Sequence, residues 1–214
     1  MKTSTNRMMV LSAILVSACV ASGQVTPPGR VYYLRVGSTE QTGCFGACLC
    51  PVLIVQPMRG RFLLTRAPSD PLFDHYTVSN VHWYVRSTAH AYIGDGTYIL
   101  GGEVALLEQM SLSLSRNGDV PRAFDSGLVA AGPGPAFPVI RVRLEIPNQA
   151  CWNTELTVNA TPLMGDWNGD GSLTVQDIFD FVGAWFGGDG DMNDDGANTV
   201  QDVFEFVNAW FSGT

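Results

Sequence analysis

The chain has 214 residues, 46% of them hydrophobic, and a formal net charge of −8. That deficit is local: residues 24–163 carry ten Arg against ten Asp and Glu, whereas residues 164–214 carry ten acidic and no basic residues. The ten arginines are dispersed and form no basic patch, which excludes nucleic-acid binding, and no apolar run beyond the N-terminus approaches the ~20 residues that span a membrane.

In chain order, the first segment reads as an export signal. Lys2 and Arg7 form a basic start, Met8–Val20 is apolar, and Ala21-Ser22-Gly23 offers a small-residue cleavage site before Gln24. Residues 1–23 are therefore expected to be removed and the protein to be extracellular or at the cell surface. Val16-Ser17-Ala18-Cys19 is a rival within the same stretch, a lipobox-like site that would anchor the protein through Cys19. Export permits disulfides. Four cysteines remain after cleavage: Cys44, Cys48, Cys50 and Cys151. Cys48 and Cys50 are too close to pair with each other, so one clustered cysteine is expected to pair with Cys151 and the other two locally. A four-thiolate zinc site is the alternative use of the same residues.

Residues 25–160 read as an all-β domain, large enough for a core of its own. Val139–Ile146 alternates, with Ile140, Val142, Leu144 and Ile146 on one face and Arg141, Arg143 and Glu145 on the other. Val81, Trp83 and Val85 oppose His82, Tyr84 and Arg86 in the same manner, and Ser111–Ser115 leads towards an Asn117-Gly118 turn. Further strands are expected at Val31–Val36, Pro51–Val55, Gly60–Arg66, Gly96–Leu100, Glu103–Leu107 and Glu155–Asn159. Many short strands with Gly and Pro between them suggest a β-sandwich or a flattened barrel.

Catalytic candidates in this domain are few. Glu103, Glu108, Asp125 and Glu145 are the acids from which a glycosidic carboxylate pair would be drawn. His75, His82 and His90 fit alternating strand faces with ordinary hydrogen bonds better than a metal site. Ser126 lacks the strand-to-helix elbow of a nucleophilic serine. Tyr32, Tyr33, Trp83, Tyr84 and Trp152 serve equally as a sugar-stacking platform or as core.

The C-terminal segment carries the most specific pattern. Asp166, Asn168, Asp170, Thr174 and Asp177 stand at positions 1, 3, 5, 9 and 12 of a loop, and Asp191, Asn193, Asp195, Thr199 and Asp202 repeat the set 25 residues on. Gly171 and Gly196 occupy position 6, where the loop turns sharply. Ser172 and Ala197 occupy position 7, where the backbone carbonyl is the ligand, so either side chain serves. Hard oxygens at this spacing wrap a calcium ion, and two calcium ions are expected. Gly165–Gly188 and Gly190–Gly213 share 16 of 24 residues, an internal duplication. A helix is predicted after each loop, at Val175–Phe186 and Val200–Phe211. In the first, Val175, Ile178, Phe179, Phe181, Val182, Trp185 and Phe186 cover an arc of roughly 160°, expected to bury against its equivalent with Phe181 or Phe206 left uncovered for a partner or for the β-domain.

No helix is expected before the first loop, and position 12 is Asp rather than Glu. On these residues the segment 164–214 resembles a type I dockerin module, of the compact, aromatic-rich kind found at the ends of secreted planctomycete proteins. The resemblance implies a calcium-folded module that docks its cargo to a cohesin-like or cell-envelope receptor. Val175-Gln176 and Val200-Gln201 stand where cellulosomal dockerins often carry Ser-Thr, and the segment lacks their basic residues. The functional expectation is non-catalytic docking of a β-cargo, with carbohydrate as its second expected contact. A small polysaccharide-degrading glycosyl hydrolase, and a tail in which calcium is purely structural, are its alternatives.

Overall fold

A computed structural model describes residues 29–45, 51–131, 139–149, 151–193, 195 and 197–213. The export signal, Cys19, Cys48, Cys50 and Gly196 lie outside the described residues. Eleven strands precede two helices: β1 (Arg30–Leu34), β2 (Thr39–Phe45), β3 (Leu53–Pro57), β4 (Arg59–Arg66), β5 (Phe73–Val85), β6 (His90–Gly101), β7 (Leu107–Arg116), β8 (Arg122–Asp125), β9 (Val129–Ala130), β10 (Ile140–Glu145), β11 (Cys151–Thr161), α1 (Val175–Phe186) and α2 (Val200–Ser212).

The strands form one antiparallel sheet in the order β1-β4-β5-β6-β7-β8-β10-β11-β2-β3, with β9 beside β7. An extra pairing of β1 with β11, Tyr33 opposite Thr161, closes the path into a ring. The strand that permits this is β11, which serves three neighbours. Its residues 151–157 face β2, residues 155–160 face β10, and its last two face β1. Of the two arrangements expected from sequence, this is the closed sheet rather than two stacked ones.

Alternation decides which side chains enter. In β10 the pattern is strict, with Ile140, Val142 and Leu144 inside and Arg141, Arg143 and Glu145 outside. Tyr32, Phe62, Trp83, Tyr92 and Tyr98 are all essentially inaccessible, and Phe62 stacks on Tyr32 at 5.3 Å while meeting Trp83 edge-on at 6.0 Å. Each such side chain contributes roughly 1.5–3 kcal/mol by burial. The 13-residue β5 bends at a bulge between Val78 and Val81, where Asn80 takes φ 53°, a left-handed conformation that Asn tolerates.

Several expected strands differ from those found. The segment 103–106 is not a strand: Gly102 turns the chain at φ 134°, Val104 points into solvent, and β7 starts only at Leu107. β2, β8 and β9 had no counterpart in the sequence reading. The inward positions of β2 hold Glu40 and Thr42, so it shows no apolar period. Cys44 and Cys151 are each disulfide-bonded, on the neighbouring strands β2 and β11, which removes them as zinc thiolates.

The helices build a second, separate cluster from Trp167, Phe181, Met192, Phe206 and Ala209. Thr174 and Thr199 cap them: each hydroxyl accepts the N–H two residues on, and Asp177 and Asp202 reach back to the cap N–H at 2.8 and 2.7 Å. The apolar arc is not buried as one face. Phe181 and Phe206, expected to be the uncovered residues, stack at 4.1 Å and are sealed, whereas Phe179, Phe186, Phe204 and Phe211 are 67–79% exposed.

Candidate functional site

Each duplicated loop folds its side-chain oxygens back onto its own backbone. In the first, Asp166 Oδ1 accepts the N–H groups of Gly169 and Asp170 at 2.9 and 3.2 Å, and Oδ2 accepts that of Gly171 at 2.9 Å. Asn168 Oδ1 accepts from Asp170, Asp170 Oδ1 from Ser172, and Asp177 from both Asn168 and Thr174. The second loop repeats the scheme. Asp191 and Asn193 accept from Asp195, Asp195 from Ala197, and Asp202 from Met192 and Thr199. Gly169 and Gly171 take φ 74° and 93°, the tight turn that position 6 requires.

Asp166, Asp177 and Asp202 are fully buried, and Asp191 nearly so. A buried carboxylate needs a compensating charge or several donors. Burial pushes the Asp166 carboxyl above its ordinary range, against the pull of the Gly171 N–H and of Arg35. Burial acts in the same sense on Asp202, but the N–H groups of Thr199, Met192 and Asn193 outweigh it and hold that carboxyl low. Among the described residues, no three His, Cys, Asp or Glu side chains converge as a metal cage. What each loop offers is three aspartates with an Asn and a Thr between them, a donor set of hard oxygens that suits calcium and no softer ion.

The repeats interlock reciprocally. Trp185 Nε1 donates to the carbonyl of Thr199 at 2.7 Å, and Trp210 Nε1 to that of Thr174 at 2.9 Å, so each helix's tryptophan holds the other helix's start. Gly165 and Gly190 make this approach possible: a Cβ there would lie 2.7 Å from Trp210 Cα and 2.5 Å from Trp185 Cα, respectively.

The closed sheet grips this unit with arginines. Arg35, almost fully buried, donates to the carbonyls of Leu163 and Met164 at 2.6 and 2.8 Å. Arg59 lies 5.0 Å over the Trp167 ring and pairs with Asp189 at 2.8 Å. Arg86 donates to Asp191 Oδ2 and to the Gly188 carbonyl, and Arg141 to the Gly169 carbonyl. Beside Arg59 a cleft of about 600 Å³ opens between Val36, Pro57, Trp167 and Phe179. None of these contacts was read from the sequence. The only signal was a neutral arginine-bearing part followed by a purely acidic one.

Of the β-domain candidates, only Asp125 and Glu145 come together. Glu103 sits on an exposed bend, and Glu108 is buried beneath the Tyr98 hydroxyl at 2.9 Å. Asp125 and Glu145 are cross-strand neighbours, and Glu155, which the sequence reading passed over, continues the row. His75 pairs with Asp70 at 2.7 Å, His90 with Glu40 at 2.8 Å, and His82 is exposed. Ser126 accepts the Met110 N–H at 3.0 Å, fixing a turn. Tyr32 and Trp83 are core, Tyr33 lies under Arg35, Tyr84 faces Asp191, and Trp152 is half-exposed, so these five form no common platform.

No protein-family model matches the chain, and neither a curated protein nor a solved structure is significantly similar to it. Among the described residues, no helix is long and apolar enough to cross a membrane.

Proposed function

We propose that residues 164–214 form a calcium-dependent docking module, dockerin-like in its paired loop–helix plan, that attaches the β-domain to a cohesin-like or cell-envelope receptor outside the cell. Asp166, Asn168, Asp170, Thr174 and Asp177, with the Ser172 carbonyl, would hold one ion. Asp191, Asn193, Asp195, Thr199 and Asp202, with the Ala197 carbonyl, would hold the other. Calcium supplies the positive charge that this acidic segment lacks, so the helix starts settle when it binds.

The observation that supports docking is the second face of the helices. Val175, Phe179 and Phe186 on α1, and Val200, Phe204 and Phe211 on α2, remain 58–79% exposed although each helix already has a filled inner face. Contiguous apolar residues of this size mark interaction surfaces in soluble proteins. The segment offers no Lys or Arg, so its partner would be gripped by apolar contact.

Calorimetric calcium titration of residues 24–214, with circular dichroism in calcium and in chelator, tests the reading. Two bound ions and a gain of helix are expected. Absence of binding at millimolar calcium would rule it out. Capture of a cell-envelope protein in calcium, lost on Phe179→Ser with Phe204→Ser, separates docking from a purely structural ion.

A further inference from the structure

The two loops are near-copies in sequence, yet their first ligands have different neighbours. Asp166 accepts loop N–H groups and the Thr161 hydroxyl, and the nearby Arg35 spends its NH2 group on the carbonyls of Leu163 and Met164. In the second loop, Asp191 Oδ1 accepts the Asp195 N–H at 3.1 Å, and Oδ2 is also held from outside the loop. Arg86 donates to it at 2.9 Å and the Tyr84 hydroxyl at 3.3 Å, both from β5 or its end. The Asp191 side chain is 3% exposed, so this pair is shielded from solvent on the acid's side. Arg141, the sheet's contact to the first loop, reaches only the carbonyl of Gly169, at position 4, which is not a ligand.

We infer that the closed sheet makes the two calcium sites unequal: Arg86, seated on Asp191, renders the second loop the weaker site. This rests on the calcium reading above. A guanidinium charge stands near both first ligands, Arg35 by Asp166 and Arg86 by Asp191, but Arg86 also engages an oxygen of the donor, which an entering ion must displace. The coupling is reciprocal, because an equilibrium effect of one contact on another acts equally in both directions. An ion entering the second loop weakens the Arg86–Asp191 bridge, and with it the sheet's hold on the chain between Gly188 and Asp191. Occupancy of the first loop leaves that hold unchanged. The protein thus senses calcium over two concentration ranges, the lower shaping the helical unit and the higher loosening it from the sheet.

The test is calorimetric calcium titration of the full exported chain, wild type against Arg86→Gln, Arg86→Lys and Arg59→Gln, with Asp166→Ala to assign the steps. Wild type should bind in two unequal steps, the tighter one lost in Asp166→Ala. Arg86→Gln should tighten the weaker step by on the order of tenfold, from removal of one charge beside a divalent ion. Its unchanged tighter step would show that the variant is folded. Arg86→Lys keeps the charge beside Asp191 and should tighten the weaker step less than Arg86→Gln does. Arg59→Gln removes an equivalent bridge, to the non-ligand Asp189, and should move neither step. Two equal steps in wild type, or a weaker step that Arg86→Gln leaves unchanged or loosens, would overturn the inference while the calcium reading stands. No binding by wild type would overturn both.

Discussion

Glu108 lies 1% exposed within the closed sheet, its Oε2 accepting from the Tyr98 hydroxyl. Burial raises its pKa, against the Tyr98 hydroxyl and the Arg141 N–H, which lower it. A carboxyl whose folded pKa exceeds its unfolded value favours the folded state while protonated. That contribution is complete below the unfolded value of about 4.3 and is lost as pH rises through the higher folded pKa. Glu108→Gln keeps an acceptor for Tyr98 and removes the ionisation. Its urea midpoint should therefore gain on wild type more at pH 7.5 than at pH 4, and midpoints that stay parallel across that range would refute the assignment. Period two along β7 places Glu108 on the buried face of Met110, Leu112 and Leu114, but a glutamate there reads from sequence as a surface acid.

Among the elements, the helices were the most legible and the long hairpin the least. Thr174 with Asp177, and Thr199 with Asp202, are sequence-level start signals, and both helices begin where those residues place them. Which part of the apolar arc is buried could not be read, because a 160° arc holds two stripes and only the partner selects between them. Phe181→Ala should cost about 3–5 kcal/mol in urea unfolding followed by helical circular dichroism. Phe179→Ser, two residues away, should stay within about 0.5 kcal/mol. Equal losses would mean that the stripes are assigned wrongly. In β5 and β6 the apolar period is broken by the bulge at Asn80 and by Gly94 and Gly96, which the sequence presents as turn residues. At either glycine a Cβ would lie 2.0 Å from a carbonyl oxygen of β7, so both are strand residues whose lack of a side chain permits the approach.

Across the whole molecule, four arginines of the sheet meet an acidic segment that contains no cation of its own. The charge imbalance was visible in the sequence, but the meeting depends on Arg35, Arg59, Arg86 and Arg141 facing one side, which only the fold determines. The Arg59–Asp189 bridge is exposed on its acid side and should be screened in about 1 M salt, where the Debye length is ~3 Å. Limited proteolysis at residues 161–165 should therefore be faster in high salt than in low salt, and a rate indifferent to salt would show that apolar contact holds the parts together. The reciprocal tryptophans reach further. Since Trp185 completes the start of α2 and Trp210 that of α1, neither repeat is whole by itself. A severed repeat would find the same contacts only in a twin, as half of a two-fold pair. Joining the halves in one chain replaces that search with an effective concentration of roughly millimolar order. The tail thus has the form of a two-fold pair joined within one chain.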